Sequence, residues 1–116
     1  MSDKIDNVSV GTKANVFFDG KCVSHSVFFP DGSRKTVGVV LPNSKLTFNV
    51  STPELMEISG GTCQGKIAGE SGFKTYAEGS SFSVAANGSF DIHTDADAVH
   101  YVCSFGLFIS QKRRAQ

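Results

Sequence analysis
Apolar and polar positions in this chain alternate over short runs, and each run is cut off by glycine, proline, asparagine or aspartate. The alternation predicts strands at residues 14–18 (ANVFF), 22–29 (CVSHSVFF), 34–41 (RKTVGVVL) and 45–50 (KLTFNV), separated by DGK, PDGS and PNS turns. Residues 62–67, 81–86 (SFSVAA), 89–94 (SFDIHT) and 98–105 (AVHYVCSF) continue the pattern, and Asn87-Gly88 carries the signal of a two-residue hairpin. Turn signals recur about every 8 to 12 residues, the spacing of an all-β sandwich or barrel.

One stretch, STPELMEISGG at 51–61, reads two ways. Ser51, Pro53 and Glu54 have the form of a helix N-terminus with a capping box. A helix from Pro53 would have to stop at Gly60-Gly61, about half the length of roughly 12 residues at which short helices become stable. The strand reading therefore wins. Period two then turns Glu54, Met56 and Ile58 inward, with Glu54 at the inner rim, and leaves Glu57 outward.

A chain of 116 residues holds one domain with a single modest core. Lys plus Arg and Asp plus Glu number 11 each, so the formal charge is zero and no basic footprint for nucleic acid exists. Cys22, Cys63 and Cys103 are far apart and odd in number, which predicts reduced core thiols rather than a disulfide framework. The start MSDKIDNVSVGTK lacks a signal-peptide run, and no window is long and apolar enough for a bilayer helix, so a cytoplasmic protein without membrane contact is expected.

The spacing from Glu54 to Gly61 resembles the end of the first cupin motif, and Gly79, Ala85, Asn87 and Phe90 resemble the frame of the second, whose pattern runs glycine, proline, glycine, histidine. The ligands of that frame are missing: TFNVS stands where a histidine pair would precede Glu54, and Phe90 takes the place of the last histidine. Ala85 replaces the proline. More closely, the chain resembles the small cupin-fold bacterial pyrimidine/purine nucleoside phosphorylases from about Asn15 to Phe105. The carriers are NVFFDGKCVSHSVFFPDGSRKTVGVVLP, STPELMEISGG, KTYAEGSSFSVAANGSFDI and YVCSF. The resemblance implies an all-β, single-domain cupin-type small β-barrel (a double-stranded β-helix, jelly-roll-like) over residues 13–106, after an N-terminal segment 1–12 and before a basic tail 107–116.

It also implies phosphorolysis of nucleosides to free base and ribose 1-phosphate by a pentosyltransferase, with inorganic phosphate as co-substrate, no metal or organic cofactor, and a homodimer. Such chemistry needs a cationic fork for phosphate, stabilisation of an oxocarbenium-like sugar and a stacking surface for the base. Arg34, the only arginine outside the tail residues Arg113 and Arg114, is the phosphate candidate, with Thr36 beside it in the substrate set. The plainer reading of Arg34 is a solvated residue after a turn, as it is for Lys35, Lys45 and Lys74. Glu54 is the candidate for the sugar, or else a structural carboxylate held by turn amides. Phe90, Tyr76 and Tyr101 are stacking candidates, although Phe90 shares a face with Ile92, and Tyr101 with Val99, Cys103 and Phe105, as core residues do.

His93 and His100 fall opposite the apolar faces and are expected to be exposed. His25 shares a face with Val23, Val27 and Phe29 and is either a proton donor to the leaving base or a satisfied core histidine. Two other functions compete: a non-catalytic cupin that binds a sugar or nucleotide, and a metal-dependent cupin with ligands drawn from His25, His93 and Glu54.

Overall fold
Strand formation follows the side chains, because β-branched and aromatic residues pack well on a pleated, half-buried surface. The computed structural model describes residues 4–106. Among these, the chain forms β1 (Ser9–Val10), β2 (Asn15–Phe17), β3 (Cys22–Phe28), β4 (Arg34–Val40), β5 (Lys45–Asn49), β6 (Glu54–Gly60), β7 (Thr62–Ile67), β8 (Lys74–Ala77), β9 (Ser81–Val84), β10 (Ser89–His93) and β11 (Val99–Phe105). The 51–61 stretch is a strand, with Met56 and Ile58 buried on one face. The expected tail 107–116 lies outside the described residues.

Seven strands form a large antiparallel sheet in the order β1-β3-β4-β11-β6-β9, with β2 also on β3, and four form a small sheet in the order β5-β10-β7-β8. The class is all-β, as expected, but the sheets are not closed into a barrel. Among the described residues β5 and β8 end the small sheet and β1 and β9 the large one, with no ladder joining the two sheets. From β4 onward the chain changes sheet at every connection except the β7–β8 hairpin, which gives the jelly-roll course.

That alternation corrects the hairpin expected at Asn87-Gly88. The turn forms, with Asn87 at φ 62° and the Gly88 amide donating to the Ala85 carbonyl at 3.1 Å. It nevertheless carries the chain from β9 in the large sheet to β10 in the small one, because Phe82 and Val84 pack on the opposite side of the core from Phe90 and Ile92. At Gly61 a single residue makes the same passage from β6 to β7, at φ 76° and so close to the Ala98 carbonyl that no β-carbon fits.

The core lies between the sheets, with Ile58, Val40 and Val99 from one and Ile92 from the other at most 1% exposed. The three cysteines are buried and unpaired, as the sequence predicted. Several boundaries differ from expectation. The strand expected over 14–18 ends at Phe17, where a 3-10 turn begins. The strand β8 was not expected, since KTYA has no clear alternation. Ser9 and Val10, within the segment set apart as 1–12, pair with Phe28 and Val27. His93 is half-buried rather than exposed because its ring packs 4.4 Å from that of Phe73.

Candidate active site
Register, rather than sequence proximity, assembles the site. On the inner face of the large sheet, β11 lies between β4 and β6 with Cys103 opposite both Thr36 and Met56, and Tyr101 opposite both Gly38 and Ile58. One step further along, Phe105 stands opposite Glu54, and the Arg34 guanidinium lies over the Phe105 ring, 4.4 Å from its centroid. Arg34, Phe105 and Glu54 thus cross three neighbouring strands in one row, although they are far apart in the chain. Period two within each strand, combined with this register, turns Arg34, Thr36, Glu54, Met56, Tyr101 and Cys103 the same way.

These residues line one wall of a cavity of about 510 Å³ between the sheets. The facing wall is aromatic and amide-bearing: Thr47, Phe48 and Asn49 of β5 and Phe90 of β10. Asn15, Phe17 and Phe18 complete the lining. Phe48 and Phe90 stack with centroids 5.0 Å apart, and Phe18 meets Phe48 edge-on at 5.1 Å. The volume falls within the range of roughly 300 to 1,000 Å³ typical of small-molecule sites.

The charged wall is electrostatically uneven. Arg34 is exposed, whereas Glu54 is half-buried and desolvation raises its pKa above the ordinary carboxylate value. Two contacts oppose that rise: the Cys103 thiol donates to Glu54 Oε1 at 3.4 Å, and the Arg34 charge lies nearby. Burial, and then the neighbouring Glu54 charge, push the Cys103 thiol far up, so it remains a neutral donor. Tyr101 is likewise held neutral by burial and by its contact with Cys22 Sγ at 3.3 Å.

The family model described as pyrimidine/purine nucleoside phosphorylase matches residues 12–105. A Thiobacillus denitrificans protein named pyrimidine/purine nucleoside phosphorylase is 57% identical over 103 residues, 89% of this chain and 98% of that protein. The chain belongs to the pyrimidine/purine nucleoside phosphorylase family. Among solved structures the chain is similar to a protein of unknown function from Acinetobacter sp., at 45% identity and a TM-score of 0.86 over 90% of this chain and 99% of that one. Its likeness to the Bacillus subtilis oxalate decarboxylase, TM-score 0.69 at 11% identity over 87% of this chain and 29% of that one, shows the cupin-type fold.

In this pyrimidine/purine nucleoside phosphorylase family member, the cavity brings together Arg34, Thr36, Glu54, Phe90 and Tyr101 from the sequence-derived set. Two residues of that set lie elsewhere. His25 occupies the outer face of β3, opposite in parity to Ser24, and lies in hydrogen-bond contact with the Gly11 carbonyl at 2.9 Å through Nδ1. Tyr76 belongs to β8, at the edge of the small sheet, where its ring packs over Gly65 and 4.8 Å from Phe82. The set weighed as metal ligands, His25, His93 and Glu54, does not converge, and among the described residues no three His, Cys, Asp or Glu side chains do. Sequence reasoning did not place Asn15, Phe17, Phe18, Ser24, Thr47, Phe48, Asn49, Met56 and Cys103 in the site. For Phe48 a signal existed, since it is the only aromatic residue in KLTFNV.

Proposed function
We propose that this protein phosphorolyses purine and pyrimidine nucleosides to the free base and α-D-ribose 1-phosphate, acting as a pentosyltransferase. The observation that carries this reading is the division of one cavity into a wall bearing Arg34, Thr36 and Glu54 and a facing wall bearing Phe48 and Phe90. A nucleoside has the same division, with polar hydroxyls at the sugar and an apolar π-face at the base. In this arrangement Arg34 and the Thr36 hydroxyl hold phosphate, the guanidinium in a fixed fork that lysine lacks. Glu54 accepts hydrogen bonds from ribose hydroxyls and offsets positive charge at the anomeric carbon.

An oxygen of monohydrogen phosphate attacks the anomeric carbon as the bond to the base nitrogen breaks, and the bonding pair leaves with the base. The proton lost by the phosphate balances the one the base gains. Because the cavity holds both reactants side by side, the step becomes effectively unimolecular. Inorganic phosphate is the co-substrate, and this reading calls for no metal or organic cofactor. We place the enzyme in the cytoplasm, in nucleoside salvage, as a homodimer. The outer face of the large sheet, with Val23, Val37, Val39 and Val102 around a second cavity of about 600 Å³, suits a second copy.

The test is incubation of the purified protein with inosine, uridine and adenosine, with and without phosphate, followed by chromatography of base and sugar phosphate. Base release that requires phosphate supports the reading; release without phosphate, or none, overturns it. Arg34→Ala should raise the phosphate KM at least about 10-fold, the scale of a lost charge-assisted hydrogen bond, with the fold intact by circular dichroism.

A further inference from the structure
The turn after β2 places a residue where it is conformationally ill suited. Phe18, Asp19 and Gly20 have φ of 53°, 55° and 89°, three successive left-handed residues. Glycine adopts this region freely and aspartate tolerates it, but a bulky side chain does not. Elsewhere among the described residues the non-glycine left-handed positions are all asparagines: Asn7, Asn43 and Asn87. Core packing does not account for the exception, since Phe18 is 39% exposed and Phe17, beside it, is 49% exposed. Both rings stand over the cavity, and Phe18 lies edge-on against Phe48.

We propose that Phe18 is a nucleobase clamp: held by the left-handed turn, it closes the base against Phe48. The ligand class rests on the phosphorolysis reading; the clamp itself rests on this geometry. Backbone strain in ligand clamps is kept where surrounding structure enforces it. Here the Lys21 amide donates to the Phe18 carbonyl at 3.1 Å, and the Leu41 amide donates to the Lys21 carbonyl at 2.8 Å, tying the turn to the end of β4. The backbone therefore stays in place while the Phe18 ring makes room for the base. Phe48 already leans on the 2%-exposed Phe90, so it is a firm platform. A grip made by phenyl rings reads no hydrogen-bond edge, and so accepts purines and pyrimidines alike.

The experiment compares wild type, Phe18→Asn and Phe18→Tyr. It measures the Kd of fluorescent 2-aminopurine riboside by quenching, KM for inosine, uridine and phosphate, thermal midpoint and oligomeric state by light scattering. Asparagine suits the left-handed backbone and removes the ring. We expect Phe18→Asn to weaken nucleoside binding about 10- to 100-fold, the effect of losing one stacking partner, with phosphate KM unchanged and the midpoint equal or higher. Phe18→Tyr should stay near wild type.

The clamp is overturned if Phe18→Asn binds the riboside as tightly as wild type, if it loses phosphate and nucleoside equally, or if it changes only the oligomeric state. Wild-type turnover together with an unaffected Phe18→Asn sinks the clamp alone. A wild type that neither binds nor turns over nucleosides sinks the phosphorolysis reading and the clamp with it.

Discussion
Replacing Gly38 with alanine tests the register on which the site depends. Gly38 lies in β4 between Ser24 of β3 and Tyr101 of β11, and the Tyr101 ring leans over its α-carbon. A β-carbon there would stand 2.6 Å from both Tyr101 Cζ and Oη and 2.9 Å from Ser24 Cβ. Ordinary contact begins at 3.4 Å, so the ring must retreat, although its hydroxyl is engaged with Cys22 Sγ at 3.3 Å. Overpacking of this kind costs about 1 to 3 kcal/mol. The smaller conformational entropy of alanine in the unfolded chain returns about 0.4 to 1 kcal/mol. At the middle of these ranges the net loss is about 1.3 kcal/mol, which lowers the melting midpoint of a domain this size by roughly 5 °C.

Calorimetry or circular-dichroism melting measures that shift directly. Removing the ring should relieve the conflict, so Gly38→Ala with Tyr101→Leu should be less damaged than the two single changes combined, by about 1 kcal/mol or more of coupling. Because Tyr101 lines the cavity, Gly38→Ala should also raise the nucleoside KM. An unchanged melting midpoint, or strict additivity in the double variant, would refute the placement of the ring over Gly38.

The other predictions concern charge and placement. Glu54→Gln should lower kcat about 100- to 1,000-fold, as the loss of an electrostatic stabiliser does, yet raise the melting midpoint near neutral pH. Burial raises the folded pKa of Glu54 above its ordinary 4.5, so its contribution to stability is complete below that value and is lost as pH rises through the folded pKa. The advantage of the glutamine variant should therefore vanish in melts below about pH 4. Burial pushes the Cys63 thiol up to about 11, and Cys22 and Cys103 upward too, so a disulfide reagent at neutral pH should find no fast thiol in the native protein and all three in denaturant. His25→Ala should leave phosphorolytic kcat within about threefold of wild type, since the ring lies on the outer face; a drop of about 100-fold, typical of a lost general acid, would contradict that placement.

Period two, read along the chain, was enough to identify most of the strands and the inward faces of Glu54, Met56 and Ile58. It works because a strand with one buried face cannot slip by a single residue without exposing its apolar set. The alternation of 34–41 stops at Thr36, where both parities become apolar, so the face of Arg34 was not legible. Only the pairing of β4 with β11 turned Arg34 toward Phe105 and the cavity. His25 shared an apolar parity, but that parity belonged to the outer face of β3, which carries valines as the inner face carries Cys22. A local pattern distinguishes two faces without saying which of them meets the other sheet.

The sequence by itself therefore determined the all-β class, the turn positions, the unpaired buried thiols and, through its motifs, the family. Those properties depend on residues near one another in the chain, where backbone sterics and side-chain period act directly. The tertiary structure alone decided that the Asn87-Gly88 turn crosses between sheets, and that Phe18 and Phe48 face the strip of Arg34 and Glu54. Those outcomes depend on which strands pair and on the packing of one sheet against another, contacts between residues distant in sequence that no local pattern encodes.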